Sequence, residues 1–586
     1  MKVLKANISE NVLDFFLKNL NINTDIINAN CIMHNKFGFN NFFDNFEDFE
    51  KLKFEIKNPS DNNSDVNRDE YGDFQTNLEL SDQIVRDLKT KNASPTFIIE
   101  PTCGKGNFII SSLLHFDNVK KIIGVEIYKP YIWECKFNII DFYLKNPKSN
   151  KPEILITHSS VFDYNFNNLI DSNDLNEYLI IGNPPWVTNS KLSILNSSNL
   201  PQKTNFKNHN GIDAITGKGN FDIAEFITLM MIKSFQHQSG NIALLVKNSV
   251  IKNIIHSQRE TNYSVSDYEK HCIDSKKEFN ASVEAALFYC KLGTLPSYIC
   301  REYDFYNKNI LKSTFGWISE KFVSNVDSYS SSMQIDGKCP FEWRQGLKHD
   351  CSSVMELEKI DNLFINKLNE TIELEEDLIF PLLKSSDLKG TVLCDTRKYT
   401  IVTQKKVGQD TSYIKINHPK TYKYLIDHFN FFELRKSKIY NGKPPFSIFG
   451  VGEYSFNLYK VAISGLYKSP DFSLILPHNN KAIMLDDTCY MLSFEKIEFA
   501  AFTFILLNSD ISKEFLNNVT FKDAKRTFTK DILMRIDILK ISDIIPKSTL
   551  ECELENLNKK YSLNISLNLW SDFKHKMQSI HNRMLF

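Results

Sequence analysis

The sequence predicts a mixed α/β fold, with a mostly parallel sheet in the first half of the chain and a separate α+β unit in the second half. Short apolar runs alternate with helical patterns between residues 71 and 300, which is typical of a parallel sheet covered by helices on both faces. Beyond residue 335 the pattern becomes irregular and rich in aromatic and turn residues. A chain of 586 residues has room for several such folding units.

The elements of the first half follow one another in a regular order. The predicted strands are 97–100, 122–126, 154–157, 178–183, 242–247 and 283–292. Helices are predicted directly after the first strand and at 130–144 and 221–235. Ligands of parallel sheets bind at the carboxyl ends of the strands. The residues that follow each strand are therefore the first candidates for a functional site.

Composition divides the chain into four segments. We expect a polar, Asn-rich extension at 1–70, an α/β domain at 71–300, a connector at 301–334 and a C-terminal domain at 335–586.

Charge and cysteine content restrict the class of protein. The chain has 70 Lys and Arg against 71 Asp and Glu, which excludes binding of nucleic acid by bulk charge alone but allows a local basic cleft. Its longest apolar runs, such as 499–507, are far shorter than the ~20 residues of a membrane helix. Eleven dispersed cysteines without a CxxC pair suit reduced thiols in a cytoplasm. We therefore expect no membrane segment, no disulfide framework and no metal site.

A glycine turn follows the first strand, in the segment EPTCGKGNF at 100–108. Gly104 and Gly106 allow a tight strand-to-helix turn and a close approach of the backbone to a ligand. Glu126 ends the next strand, where a carboxylate can accept hydrogen bonds from both hydroxyls of a ribose. Together these features predict a site for a cofactor that contains a nucleoside. The spacing differs from that of dinucleotide enzymes and of P-loop proteins.

Two further strands end in candidate residues. After the third strand, Asp163 is placed to hydrogen-bond an adenine amino group, with Phe162 beside the ring. The fourth strand runs into Asn183, Pro184, Pro185 and Trp186. The two prolines stiffen the backbone and leave carbonyl groups without a local partner, while Asn183 adds a side-chain carbonyl. Acceptors fixed side by side suit an exocyclic NH₂ group, and Trp186 offers a flat face for a base.

This series of motifs resembles the amino-group DNA methyltransferases that use S-adenosyl-L-methionine. Its order, with the cofactor turn first and the recognition region last, is similar to that of their gamma class, the N6-adenine enzymes of restriction-modification systems. The family's cofactor turn, (D/E)PxCGxGxF, is matched by Glu100, Pro101, Cys103, Gly104, Gly106 and Phe108. Its (N/D)PP(Y/F/W) motif is matched by Asn183, Pro184, Pro185 and Trp186.

The resemblance extends on both sides of these motifs. Segment 71–85 is similar to the family motif that contacts the methionine end of the cofactor, and Phe74 and Thr76 fall on its aromatic and threonine positions, although Asn77 replaces a common proline. Phe279 matches the aromatic residue that touches the flipped target base. Three later segments look like recognition regions of this class: 341–357, 444–468 and 507–533.

The resemblance implies a Rossmann-like methyltransferase domain at 71–300 and a DNA target-recognition domain at 335–586. It implies S-adenosyl-L-methionine as cofactor and methyl transfer to the N6 amino group of adenine in double-stranded DNA, after base flipping. A bacterial cytoplasmic enzyme is expected. Because residues 1–70 are too short for a nuclease domain, the expected partner is a separate cognate restriction endonuclease.

Two alternatives remain open at the level of sequence. The Asn-Pro-Pro turn also occurs in protein-glutamine methyltransferases and in some RNA methyltransferases, which act on other planar NH₂ groups. The long region after residue 335 favours DNA. A binding module with an inactive catalytic core is the second alternative, and the two intact motifs argue against it.

The DNA-contacting surface is predicted from local charge. Residues 381–470 carry 15 Lys and Arg against 6 Asp and Glu, and interleaved aromatic residues make such a stretch more typical of a nucleic-acid surface. The individual candidates for phosphate contacts are Arg435, Lys436, Lys438, Lys522, Lys525 and Arg526. A solvated helix face is the alternative interpretation of this cluster.

Overall fold

A computed structural model describes residues 2–20, 24–58, 74–170, 175–188, 222–307, 310–360 and 363–585. The chain forms two compact units, here called unit 1 (1–322) and unit 2 (323–586). The boundary between them lies within the predicted connector 301–334. In the part of the chain that the structure describes, no helix combines the length and the apolar character needed to cross a bilayer.

Unit 1 is built on a ten-stranded sheet and a short N-terminal hairpin. Its strands are β1 (Lys2–Val3), β2 (Ala6–Asn7), β3 (Phe97–Glu100), β4 (Lys121–Glu126), β5 (Glu153–His158), β6 (Glu177–Gly182), β7 (Ser239–Lys247), β8 (Val265–Ile273), β9 (Ala285–Leu292), β10 (Ile299–Asp304), β11 (Leu311–Ile318) and β12 (Lys321–Val323). The order in the large sheet is β5-β4-β3-β6-β7-β9-β8-β10-β11-β12. Strands β5, β4, β3, β6 and β7 are parallel to one another, and β9 is antiparallel to β7 and β8.

The predicted mostly parallel sheet is therefore confirmed, and the six predicted strands agree with β3, β4, β5, β6, β7 and β9 within three residues. Strand β8 and the strands after β9 were not predicted. Strands β10, β11 and β12 extend the sheet through residues that the sequence assigned to a connector. The sheet thus reaches further along the chain than its apolar pattern indicates.

Helices cover the sheet of unit 1. They are α1 (Glu10–Asn19), α2 (Ile26–Phe37), α3 (Phe46–Lys57), α4 (Leu78–Thr90), α5 (Asn107–His115), α6 (Lys129–Lys145), α7 (Ile223–Phe235), α8 (Asn248–Thr261) and α9 (Ser275–Phe279). Helix α4 illustrates why they form. Asn77 caps it by accepting a hydrogen bond from the Leu80 amide at 2.7 Å, and its apolar stripe buries Leu80, Ile84, Val85 and Leu88.

The N-terminal residues belong to the same unit as the sheet. Phe16 packs against Phe137 of α6, with 5.8 Å between ring centroids, and Phe42 packs against Trp133 at 5.8 Å. Phe39 forms a parallel bridge with Ile154 of β5. The described part of the predicted extension, up to residue 58, is thus packed onto the sheet and its α6 layer.

Unit 2 contains two antiparallel-rich sheets and a helical end. Its strands are β13 (Arg344–Gln345), β14 (Glu356–Ile360), β15 (Leu363–Asn366), β16 (Thr371–Ile372), β17 (Ile379–Leu383), β18 (Val392–Leu393), β19 (Lys398–Ile401), β20 (Tyr459–Ser464), β21 (Ser473–Ile475), β22 (Met484–Leu485) and β23 (Cys489–Phe494). One sheet has the order β13-β23-β20-β21-β18 and the other β16-β15-β14-β19-β17-β22. This confirms an α+β architecture after the parallel sheet.

The helices of unit 2 are mostly short before residue 497. They are α10 (Val326–Tyr329), α11 (Ser352–Met355), α12 (Tyr413–Asn417), α13 (Pro419–Asp427), α14 (Phe429–Glu433), α15 (Glu453–Phe456), α16 (Ile497–Asn508), α17 (Asp510–Val519), α18 (Lys530–Leu533), α19 (Ile538–Ile544), α20 (Lys547–Tyr561) and α21 (Trp570–Leu585). The apolar run at 499–507 lies in α16, whose side chains are buried almost all round. A helix of this kind is the centre of a helical layer.

Candidate active site

The glycine turn after β3 is fixed to the end of β4 by backbone hydrogen bonds. The Cys103 amide donates to the Val125 carbonyl at 2.9 Å, and the Gly104 amide donates to Glu126 Oε2 at 2.9 Å. Gly106 begins α5 at φ +79°, and a Cβ there would lie 2.5 Å from Cys135 Sγ. Only glycine therefore combines this left-handed backbone with the close packing of α5 on α6.

The carboxylate of Glu126 is oriented by two backbone donors. Besides the Gly104 amide at Oε2, the Tyr128 amide donates to Oε1 at 2.7 Å. A carboxylate oxygen has two lone pairs and can accept from more than one donor. A fixed pair of acceptors is what the two adjacent hydroxyls of a ribose require.

A cleft of about 670 Å³ opens at the carboxyl ends of β3, β4, β5 and β6. Its lining residues are Phe74, Gln75, Pro101, Thr102, Gly104, Val125, Glu126, Ile127, Tyr128, Tyr131, Ser159, Val161, Phe162, Asn183, Pro185, Ile223 and Ile227. Aromatic walls, the oriented Glu126 carboxylate and the Gly104 turn together fit the nucleoside part of S-adenosylmethionine.

The cleft brings together only part of the predicted cofactor set. Five of the predicted residues line it: Phe74, Pro101, Gly104, Glu126 and Phe162. Five others are buried away from its surface: Thr76, Glu100, Cys103, Gly106 and Phe108. These residues shape the turn and its support without forming the cleft wall.

Two buried acids of this support have strongly shifted pKa values. Glu100 is 2% exposed, and burial raises the pKa of its carboxyl group well above the ordinary value. Its Oε2 atom has no hydrogen-bond partner among the described residues. The neighbouring Cys135 and burial likewise raise the pKa of the Cys103 thiol, so this cysteine is an inert packing group rather than a nucleophile.

Asp163 is placed differently from its prediction. Its side chain is exposed, whereas the neighbouring Phe162 lines the cleft. The aromatic residues Tyr128 and Tyr131 take a larger share of the wall than the sequence suggested, with 5.0 Å between their ring centroids. Their position two and five residues after Glu126 was the available signal, because α6 begins at the edge of the cleft.

The side-chain amide of Asn183 is held in one orientation by hydrogen bonds to Phe74 and Thr76. Its Nδ2 donates to the Phe74 carbonyl at 2.7 Å and approaches Thr76 Oγ1 at 3.2 Å. These contacts fix the amide nitrogen and leave Oδ1 buried, with no partner among the described residues. Because a buried unpaired acceptor is costly, this oxygen is the clearest position for a ligand donor in the site.

Trp186 forms an aromatic group with Phe74 and Phe279. The Trp186 ring centroid lies 5.2 Å from Phe74 and 5.0 Å from Phe279, and its Nε1 donates to the Leu245 carbonyl at 3.1 Å. The sequence predicted a flat face for a base at Trp186, and in the structure this side chain is 5% exposed. The edge of Phe279 covers it.

The predicted DNA contacts in unit 2 fall into two groups. Arg435 is tied into its own unit: its Nη1 donates to the Ser447 carbonyl at 2.7 Å, and its guanidinium lies 3.6 Å from the Tyr440 ring centroid. These contacts occupy part of the donor capacity of Arg435, and its predicted phosphate contact stays a prediction. Arg526 likewise donates to the Asp487 carbonyl at 2.9 Å and pairs with its carboxylate.

The lysines differ from these arginines. The side chains of the four predicted lysines are exposed: Lys436, Lys438, Lys522 and Lys525. Lys436 also borders a polar cavity of about 1260 Å³ within unit 2.

Part of the positive charge at 381–470 is neutralised within the fold. Lys384 donates to Glu356 at 2.6 Å, and Lys420 pairs with Glu373. Lys460 is fully buried, and burial lowers the pKa of its ammonium group to about 7. The exposed surface of this stretch is therefore less basic than its composition predicts.

Comparisons with known proteins bear on the family of the chain. No protein-family model matches the chain. The chain is 41% identical over 485 residues to the type II methyltransferase M.NspV of Nostoc sp., covering 81% of this chain and 98% of that protein. Among solved structures, the type IIL restriction-modification enzyme MmeI in complex with DNA is 11% identical, with 86% of this chain and 72% of that chain covered and a TM-score of 0.49. The M protein of the type I restriction enzyme EcoKI is 11% identical, with 51% and 60% covered and a TM-score of 0.26.

Proposed function

Because this chain belongs to the type II DNA methyltransferases of restriction-modification systems, we propose that it methylates the N6 amino group of adenine at a specific site in double-stranded DNA. The family relationship gives S-adenosylmethionine as the cofactor and site-specific DNA methylation as the reaction. Adenine as the target base goes beyond the family relationship. It is supported by the order of the motifs, in which the cofactor turn precedes Asn183 and the recognition region comes last.

The single observation that carries the proposal is the buried Oδ1 of Asn183, a residue of the cleft lining, which has no hydrogen-bond partner in the part of the chain that the structure describes. An adenine amino nitrogen is a weak nucleophile because its lone pair is conjugated with the ring. A hydrogen bond from that amino group to Oδ1 favours a tetrahedral nitrogen and stabilises the positive charge that develops there. The Phe74 carbonyl holds the amide in place at 2.7 Å, so the acceptor needs no reorientation.

Residues of unit 1 divide the remaining tasks. Glu126 binds the ribose hydroxyls, and Tyr128, Tyr131 and Phe162 pack against the adenine ring of the cofactor. When bound, S-adenosylmethionine supplies an activated methyl group. Trp186 stacks on the extrahelical target base, which is worth ~1–3 kcal/mol and offsets part of the cost of unstacking it from the duplex.

Unit 2 supplies DNA recognition in this proposal. Its exposed lysines contact phosphates, which position the protein without reading sequence. The enzyme acts in the bacterial cytoplasm, where its methylation protects the target site from a cognate restriction endonuclease encoded as a separate chain.

Sequencing of modified bases tests the proposal. The chain is expressed in a bacterial host that lacks DNA methyltransferases, and genomic DNA is read by a single-molecule method that distinguishes N6-methyladenine from N4-methylcytosine. We expect N6-methyladenine at one short sequence motif and none in cells that express Asn183→Ala. Modification of cytosine would contradict the choice of base, and the absence of any modified base would contradict the activity.

A further inference from the structure

An ion pair outside the cleft connects its two walls. Lys247, the last residue of β7, donates from Nζ to Asp222 Oδ2 at 2.5 Å. Asp222 precedes α7 and caps it, because its Oδ1 accepts from the Ala224 amide at 3.0 Å. Both side chains are largely buried, with 16% and 11% of their surfaces exposed. Neither residue lines the cleft or belongs to a motif that the sequence singled out.

Asp222 directly precedes helix α7, which forms part of the cleft wall where the cofactor is proposed to bind. Ile223 and Ile227 of α7 line the cleft, so the position of this helix N-terminus decides where they lie. The Ile223 amide also donates to the Val187 carbonyl at 2.9 Å, and Asp222 forms an antiparallel bridge with Thr188. The segment directly after Trp186 is therefore attached to the start of α7.

Lys247 is the last residue of strand β7, the strand to which the Trp186 side chain is hydrogen-bonded. The indole Nε1 of Trp186 donates to Leu245, two residues earlier on the same strand. The end of β7 is itself fixed, since Lys247 is in register with Ala285 of β9. Covalent and hydrogen-bonded links thus run from Trp186 to β7, through the ion pair to Asp222, and back to Val187.

The Lys247 ammonium group offsets part of the cost of burying the Asp222 carboxylate. Burial raises the pKa of the Asp222 carboxyl group, and the Lys247 ammonium opposes that shift. Removal of the lysine would leave a buried carboxylate without its cation, which is costly.

We propose that Asp222 and Lys247 are positioning residues for methyl transfer, which hold the Trp186 platform and the cofactor wall at a fixed separation. The inference rests on the proposed role of Trp186 as the platform for the target base. Methyl transfer requires close alignment of the amino nitrogen with the cofactor. Since misplacement by about 1 Å can cost ~100-fold in rate, loosening this link should affect the chemical step more than binding.

The test compares Lys247→Met, which removes the charge but keeps much of the stem, with Lys247→Arg, which keeps the charge. The matched control is Lys270→Met. Lys270 pairs with Glu302 at 3.0 Å, is similarly buried, and lies on β8, two strands from β7 in the same sheet. Each full-length variant is assayed for kcat and for KM, using tritiated S-adenosylmethionine and DNA from a host without methyltransferases, and cofactor Kd is measured by calorimetry.

We expect Lys247→Met to lower kcat by ~10- to 100-fold, with KM for DNA and the cofactor Kd within about 3-fold of wild type. Lys247→Arg should recover kcat to within about 3-fold, and Lys270→Met should stay within about 2-fold. A kcat of Lys247→Met near that of wild type overturns the proposal. So does a loss shared equally by Lys247→Arg or by Lys270→Met.

A second variant covers the case in which Lys247→Met does not fold. Asp222→Asn keeps an oxygen to cap α7 but removes the charge, and the same fall in kcat is expected, while wild-type kcat overturns the proposal. The ratio of variant to wild type decides the role of the pair whichever base is methylated. A wild-type chain that modifies cytosine would contradict only the proposed function.

Discussion

In unit 1, polar groups at the strand ends are oriented by the backbone and directed into a cleft, whereas in unit 2 the predicted arginines are held by contacts within the fold. Glu126 is fixed by two amides. Asn183 is fixed through its nitrogen, while its oxygen has no partner among the residues that the structure describes. Arg435 and Arg526 instead donate to carbonyl groups of their own unit. A charged side chain in the sequence is thus a weaker sign of ligand binding than an oriented group with a remaining bonding position.

Among the substitutions that test this comparison, we expect the one at Asn183 to have the largest effect on activity. We expect Asn183→Ala to lower kcat by ~100- to 1,000-fold, the range seen when one preorganised hydrogen-bonding group is removed from a reacting centre. Cofactor Kd should stay close to that of wild type. Asn241→Ala is the control, because Asn241 is buried on β7 and its oxygen already accepts from the Tyr289 hydroxyl at 2.8 Å. Equal losses in both variants would mean that Asn183 acts only through the fold.

Trp186 should show the next largest effect. Loss of base stacking in Trp186→Ala is expected to lower kcat/KM for DNA by ~10- to 100-fold. Trp186→Phe keeps an aromatic face and loses only the bond to Leu245, so its loss should be smaller. Steady-state kinetics on DNA with saturating cofactor measures both. Near-normal transfer by the alanine variant would remove Trp186 from the base site.

Glu126 should affect binding of the cofactor rather than transfer at saturation. Glu126→Gln is expected to weaken cofactor affinity by ~10-fold or more, since hydrogen bonds to a charged acceptor contribute about 1.5–3 kcal/mol. Calorimetry with S-adenosylmethionine measures the Kd. Glu153→Gln is the control. Glu153 is the first residue of the adjacent strand β5, so it lies at the amino ends of the parallel strands, whereas the cleft lies at their carboxyl ends. An unchanged Kd for Glu126→Gln would place the ribose contact elsewhere.

In unit 2, we expect substitution of Arg435 and substitution of the neighbouring exposed lysines to have different effects on DNA binding and stability. Replacing both exposed lysines, Lys436 and Lys438, with Ala should reduce the slope of log affinity against log salt by about 2, because each phosphate contact contributes ~0.9. Arg435→Ala should leave that slope unchanged and lower Tm, since it removes internal hydrogen bonds. Fluorescence anisotropy over a salt series and thermal unfolding separate the two outcomes. A changed slope for Arg435→Ala would contradict its structural role.

The two units also differ in how much of their fold could be predicted from sequence. The six predicted strands are apolar runs, and burial in a parallel sheet makes such runs visible. Strand β8 was missed because Glu269, Lys270 and His271 interrupt its apolar pattern. These side chains are buried in ion pairs. Lys270 pairs with Glu302 of β10 at 3.0 Å, whereas His271 pairs with Glu269 of the same strand at 2.8 Å. In unit 2 the strands have two to six residues, too few for periodicity to indicate them.

The candidate site was predictable as a set of residues but not as a geometry. Local motifs place Glu126 and Asn183 at strand ends. The orientation of Asn183 depends on the Phe74 carbonyl, 109 positions earlier, and the cover over Trp186 depends on Phe279. The Asp222–Lys247 pair was missed for the same reason, because its two halves lie in different elements and neither belongs to a motif.

The bridge at Phe39 has a consequence for solubility and for the order of folding. Strand β5 is an outer strand of the large sheet, and the Ile154 amide donates to the Gly38 carbonyl while the Ile154 carbonyl accepts from the Asn40 amide, both at 2.8 Å. An uncovered outer strand is a template for pairing with another chain. Residues 38–40 precede β5 in the chain, so the segment that covers this outer strand is synthesised before the strand itself. A chain truncated to begin at residue 74 would expose this edge, and we expect it to self-associate in light scattering while the full-length chain does not.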